Sequence, residues 1–162
     1  MAPLAIGTMY MVMIFAGGHI SGGHFNPAVT LAVLMRGKID RGDALYYILV
    51  QLISGVFAAA IGTFLHNCGG GATIAARVNE YSMCAVLAEF LGTFALAYVV
   101  LNVVTTKANA GNSHYGLAIG FTVMASAYAF GGLSGGAFNP AVAVGASLWR
   151  DAHRQRSVAA PL

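Results

Sequence analysis

Charge is nearly absent from four stretches of the chain, residues 3–17, 44–65, 83–105 and 115–133. A membrane-spanning helix needs about 20 apolar residues to cross a hydrocarbon core of about 30 Å. The second and third stretches meet that length easily, whereas the first is short and begins almost at Met1. Two further apolar stretches, 27–35 and 140–149, are too short to span. Each opens on Asn-Pro: Asn26 and Asn139 are suited to cap a helix N-terminus, and Pro27 and Pro140 fit the first helical position, where a missing N–H costs nothing. A helix over residues 26–37 would rise about 16 Å, about half a bilayer. Non-helical backbone at membrane depth is tolerated only where protein or a water-filled cavity satisfies it. The pattern therefore predicts an all-α membrane protein with two re-entrant half-helices, each preceded by a Gly-rich loop.

The two short elements belong to an internal repeat. "SGGHFNPAVTL" at 21–31 returns as "SGGAFNPAVAV" at 134–144, and "LAIG" at 4–7 returns with the same offset at 117–120. Three spans separate the half-helices, so the half-helices enter from opposite faces. This is an inverted-topology repeat, which places the working site near the midplane, with Asn26 and Asn139 facing one another. The expected organisation is one transmembrane domain over 1–149, with a first repeat at 1–66, a second at 82–149, and a polar basic tail at 150–162. The second half has a span ahead of its LAIG that the first half lacks. The first half has a span after its half-helix that the second lacks. A complete repeat would hold three spans per half, so four full spans of an expected six are anticipated, without the first and the last.

Composition strengthens the membrane reading. Hydrophobic residues make up 58% of the 162 and charged residues only 8%, where a soluble domain carries about 25% charged. The net charge of +3 comes from basic residues scattered between apolar segments, without interleaved aromatics, so nucleic acid is not an expected partner. Arg36, Lys38 and Arg41 crowd one connection and Lys107 falls on the same side, which the positive-inside rule makes cytoplasmic. Arg150, Arg154 and Arg156 then lie outside, against the rule, and the internal loops carry more weight. Cys68 and Cys84 form neither a CxxC nor a Cys/His pattern, so no disulfide framework, metal site or cofactor is expected. The first apolar run has no basic residues ahead of it, which argues against a cleavable signal peptide.

The motifs "GGHISGGHFNPAVTL" and "FGGLSGGAFNPAV" resemble the two Asn-Pro-Ala loops of the aquaporin, or major intrinsic protein, family. "LAEFLGTF" at 87–94 resembles the start of that family's fourth span and "GLAIGF" at 116–121 its fifth, and the resemblance runs from residue 3 to 149. Asn-Pro alone is a common turn dipeptide; two copies at equivalent places in a repeat are far more specific. The resemblance implies a plasma-membrane channel of six spans and two half-helices, usually a homotetramer with one pore per protomer, passing water or small neutral solutes such as glycerol, urea or ammonia.

The resemblance also assigns residues. Asn26, Pro27, Ala28 and Asn139, Pro140, Ala141 would mark the pore centre, where the amides donate to a permeant oxygen. Carbonyls of Gly22, Gly23, His24 and of Gly135, Gly136, Ala137 would form a polar ladder, with the His24 ring packed elsewhere. Glu89, an acidic residue well inside a span, would brace the re-entrant loop backbone. The outer constriction falls on Ile6, Ala127, Gly136 and Val142, and Val142 stands where the family usually has an arginine. Those four residues make a wide, apolar, uncharged opening, which argues against strict water selectivity. His19, His66 and His114 fall near span ends and read as interfacial residues. Met9, Met11 and Met13 read as lipid-facing or packing surface.

Two other functional classes compete. A secondary transporter also uses inverted repeats and broken helices, but Glu89 alone is poor material for ion coupling. A non-conducting remnant is the third reading. No nucleophile–base pair, metal cluster or phosphate loop points to an enzyme.

Overall fold

A computed structural model describes residues 1–69 and 83–159, with side chains described as far as Trp149. The expected start of the second repeat at 82, the last three residues of the tail, and the side chains of Arg150, Arg154 and Arg156 lie outside the described residues. The order is α1 (Ala2–Ser21), α2 (Pro27–Met35), α3 (Arg41–Cys68), α4 (Met83–Thr105), a short 3-10 turn at Lys107–Asn109, α5 (Tyr115–Ser134) and α6 (Pro140–Ala159). Of these, α1, α3, α4 and α5 are long and apolar enough to cross a membrane.

Three elements run clearly further than the hydropathy pattern predicts, among them α3, which extends beyond 44–65 at both ends, from Arg41 to Cys68. Helix α1 continues past Gly17 to Ser21 and reaches 20 residues, a full spanning length. The glycines at its end do not break it because large rings fill the space beside them: a Cβ on Gly17 would meet the Phe25 ring at 3.2 Å, and one on Gly18 the Tyr115 ring at 3.5 Å. Helix α6 continues past Trp149 to Ala159, so the tail begins as helix rather than after it. Its alanines, arginines and glutamine favour helix, and no glycine or proline intervenes before Pro161. The apolar part of α6 is still 140–149, too short to span.

The helix ends show the repeat in backbone geometry. Helix α1 stops where Gly22 takes a φ of 75° and its N–H returns to the Gly18 carbonyl; α5 stops where Gly135 takes 92° and returns to Gly131, each bond 2.9 Å. Only glycine adopts that left-handed region without penalty. At the other end of the connection, Asn26 and Asn139 cap α2 and α6 through bonds from the Ala28 and Ala141 N–H groups, at 2.9 and 3.0 Å. Asp40 caps α3 by accepting from the Gly42 and Asp43 N–H groups at 2.7 and 3.1 Å.

Packing follows the same two-fold pattern. Helices α1 and α5 cross at Gly7 and Gly120, where a Cβ on Gly7 would lie 2.6 Å from Met124 Cβ and one on Gly120 2.5 Å from Met11 Cβ. Met11 is therefore packing surface, while Met9 and Met13 are exposed. Helix α4 packs on α5, α3 on α6, and α2 sits among α3, α4 and the start of α6. The buried core gathers around α2, with Val29 and Val33 meeting Ile14, Leu96, Val100 and Ile119. The outward faces of the long helices remain apolar: Phe57, Phe64, Phe90 and Phe94 are each about three-fifths exposed. Apolar surface on that scale is stable against hydrocarbon and not against water.

Candidate functional site

The two Gly-rich loops meet where α2 and α6 begin. After the capping glycines, Gly23 and Gly136 keep positive φ (65° and 68°), and so do Phe25 (45°) and Phe138 (44°). A non-glycine residue in the left-handed region is uncommon and costs about 1–3 kcal/mol, so it persists only where its surroundings hold it. Here the opposite loop does so. Asn26 Nδ2 donates to the Phe138 carbonyl and Asn139 Nδ2 to the Phe25 carbonyl, each at 2.9 Å. The left-handed turn aims each phenylalanine carbonyl across the boundary, where the partner asparagine receives it. The capping bonds use the Oδ1 atoms, and each amide keeps one further N–H. Asn26 has no accessible surface, whereas Asn139 retains some, so the remaining donors are not equally open.

Each loop is braced differently. Glu89, on α4, holds the second: Oε1 accepts from the Ser134 hydroxyl at 2.6 Å and from the Ala137 N–H at 3.0 Å, and Oε2 accepts from the Phe138 N–H at 2.6 Å. Charge-assisted bonds to backbone donors are among the strong ones. The first loop is held through His24 instead. The Tyr10 hydroxyl donates to its carbonyl at 2.9 Å, and its Nδ1 lies 3.2 Å from the Thr30 hydroxyl. Its ring tilts against Tyr47 with centroids 5.2 Å apart.

His24 is engaged through both its carbonyl and its ring. The carbonyl expected on the ladder accepts from Tyr10 with one of its two lone pairs. The ring, expected to pack elsewhere, lines a cavity of about 310 Å³ with Gly22, Val33, Lys38, Val100 and Thr105. That cavity also places Lys38 beside the end of α4, so the connection bearing Arg36, Lys38 and Arg41 and the end leading to Lys107 share one side, as the charge pattern requires. Of the four expected constriction residues, Ile6 and Val142 are about half exposed, on α1 and α6, which do not pack against each other. Ala127 and Gly136 are partly buried on α5 and in the second loop. His66 meets Trp149 edge-on with centroids 5.8 Å apart, while His19 and His114 are exposed at helix ends. No cluster of three or more metal-ligating side chains occurs among the described residues.

Four contributors were not singled out from sequence. Tyr10, Thr30 and Gln51 were hidden among apolar neighbours, although a glutamine within a long apolar span is itself a signal. The fourth, Ser134, lies within the repeated motif, and its partner Glu89 could have pointed to it.

An all-helical membrane protein with four long apolar helices, and two more whose apolar parts are too short to span and whose capped N-termini abut, is the class this arrangement defines. The chain matches the major intrinsic protein family over residues 1–159 and belongs to it. Members of that family are channels, not enzymes, and the protein is an integral membrane protein. It is 38% identical over 151 residues to glycerol uptake facilitator protein-like 6 of Lactiplantibacillus plantarum, covering 90% of this chain and 69% of that one. It is 36% identical over 154 residues to probable aquaporin PIP2-6 of Oryza sativa subsp. japonica, covering 89% and 54%. Aquaporin PIP1-6 of Zea mays is 33% identical over 155 residues, covering 91% and 52%. The chain thus spans about two thirds of the bacterial relative and about half of each plant relative.

Proposed function

We propose that this chain forms a passive transmembrane conduit for water and small neutral solutes, glycerol, urea and ammonia among them. The observation that carries the reading is the reciprocal pairing of Asn26 with Phe138 and of Asn139 with Phe25. It brings two helix N-termini together, each carrying about half a positive charge. Cations and protons are disfavoured at such a point while neutral molecules pass. The asparagine amides supply donors there, Pro27, Ala28, Pro140 and Ala141 shape the helix starts, and the loop carbonyls of Gly22, Gly23, Gly135, Gly136 and Ala137 supply acceptors. Likeness to an aquaporin and to a glycerol uptake facilitator supports the same solute class. We place the protein in the plasma membrane as a homotetramer with one conduit per protomer.

The test is stopped-flow light scattering of proteoliposomes holding the full chain, under osmotic, glycerol and urea gradients. Water and solute permeabilities well above those of empty vesicles, without proton leak, are expected. Permeabilities equal to empty vesicles would refute the conduit.

A further inference from the structure

Thr30, fully buried in the first turn of α2, has its hydroxyl surrounded by four polar atoms. Gln51 Nε2 lies at 3.0 Å, the Asn26 carbonyl at 3.2 Å, Gln51 Oε1 at 3.4 Å and His24 Nδ1 at 3.2 Å. A hydroxyl has one proton to give and two lone pairs to offer. The nearest of the four, the Gln51 NH2, can only donate, so it takes one lone pair. Both oxygens can only accept, so whichever of them is served consumes the proton. The lone pair that remains faces His24 Nδ1, and two lone pairs cannot share that line. With its proton given to the Asn26 carbonyl, the i−4 bond usual for a threonine inside a helix, Thr30 leaves Nδ1 to carry the imidazole proton. A neutral imidazole then has none on Nε2.

The Nε2 edge is turned to Gly22, where an added Cβ would come within 3.3 Å of it, and His24 and Gly22 line the same cavity. Nε2 has no hydrogen-bond partner among the described residues. Of the other side chains lining the cavity, Val33, Val100 and Val104 are apolar, the Thr105 hydroxyl donates to the Leu101 carbonyl, and Lys38 brings a cation. We infer that Thr30, oriented by Gln51, holds His24 as its Nδ1–H tautomer, so that Nε2 stands bare in the cavity as a hydrogen-bond acceptor for the permeating solute. His24 is then a solute-contacting residue, and Thr30 and Gln51 are positioning residues. The device exists on one half only. In the repeat, Ala137 stands where His24 does and Ala143 where Thr30 does, so the second loop has neither ring nor hydroxyl. The conduit's two halves present different chemistry, and solutes rich in O–H or N–H donors gain an extra contact on the Lys38 side. This deepens the conduit reading and rests on it.

The experiment is solid-state NMR of the full chain in lipid bilayers at neutral pH, with 15N-labelled histidine and His24 assigned by the signal lost in His24→Gln. The expected spectrum shows His24 protonated at Nδ1 and bare at Nε2. Thr30→Val removes the acceptor and should move the ring towards Nε2–H, with glycerol permeability falling several-fold in the same vesicles. Thr30→Ser keeps the hydroxyl and should preserve both the tautomer and the flux. A wild type protonated at Nε2, in vesicles that conduct, overturns this inference alone; so does an unchanged tautomer in Thr30→Val. Wild-type vesicles without any flux overturn the conduit instead, and with it the solute contact, whatever the tautomer.

Discussion

Asn26 donates its side-chain amide to the Phe138 carbonyl at 2.9 Å, and the inverse bond from Asn139 to Phe25 has the same length. The residues of each pair are more than a hundred positions apart in the chain, yet each asparagine completes the turn that precedes the other. Asn139→Asp would keep an oxygen to cap Ala141 but place a second one against the Phe25 carbonyl. Losing a donor and adding lone-pair repulsion at this junction should cost roughly 1–3 kcal/mol. The added negative charge should also weaken the barrier to cations. Thermal unfolding in detergent and a sodium-leak assay in vesicles check the two effects; full stability with intact cation exclusion would contradict the assignment.

Glu89 gives a second test, because its two oxygens serve three donors. In Glu89→Gln one oxygen still accepts from Ser134 and Ala137, but an NH2 now faces the Phe138 N–H. Hydrogen bonds to charged groups are worth about 1.5–3 kcal/mol, and an unsatisfied donor adds its own cost. The variant should unfold at a clearly lower temperature and lose flux, while Ser134→Ala, which removes only the hydroxyl, should lose less. Equal losses would mean that the carboxylate does not organise the loop.

The crossing of α1 and α5 gives a test of symmetry. A Cβ on Gly7 meets Met124, and one on Gly120 meets Met11, in nearly equivalent geometry. Each Gly→Ala change should force the helices apart at a cost of about 1–3 kcal/mol, as overpacking does. The two variants should match each other closely in detergent unfolding. A large disparity between them would show that the two-fold relation stops at the loops.

Much of this architecture can be read from the chain because its strongest signals are local. Hydropathy located α4 to the residue, and Asn-Pro marked the starts of α2 and α6 through capping chemistry that needs no tertiary partner. The ends of α1 and α6 were misplaced for opposite reasons. Gly17 and Gly18 look like helix breakers until the Phe25 and Tyr115 rings are seen against them, and the charged end of α6 looks like a tail although its residues favour helix. The positive φ of Phe25 and Phe138 left no trace in sequence, because it is imposed by a loop from the other repeat. The surroundings of His24 were no more legible: Thr30 is close in sequence, but Tyr10, Tyr47 and Gln51 come from other elements.

Asp40 adds a pH prediction outside the spans. The Asp43 N–H, and after it the Gly42 N–H, hold its carboxyl below the usual range. The folded value is depressed, so the cap's contribution is complete above the ordinary carboxylate range of about 4 and disappears as pH falls through the lowered value. Asp40→Asn keeps an acceptor for the same N–H groups and does not titrate. In detergent unfolding, the difference between wild type and Asp40→Asn should therefore shrink on acidification. A constant difference down to about pH 2 would show that the carboxylate charge contributes nothing to the cap.

For the proposed conduit, selectivity would fall to Ile6, Ala127, Gly136 and Val142. Val142, about half exposed near the start of α6, offers neither charge nor hydrogen-bond donor, and Ile6 on α1 is exposed to the same degree. Ala127 and Gly136 add little bulk. A conduit with this mouth is expected to pass solutes larger than water. An arginine at 142 would extend a planar, permanently charged fork of donors into the constriction, narrowing it and repelling cations. Val142→Arg should therefore reduce glycerol and urea flux several-fold, leave water flux closer to wild type, and tighten cation exclusion. Stopped-flow measurements on paired proteoliposome preparations read all three. If the wild type passes water alone, or the arginine leaves solute flux unchanged, then Ile6, Ala127, Gly136 and Val142 do not form the constriction.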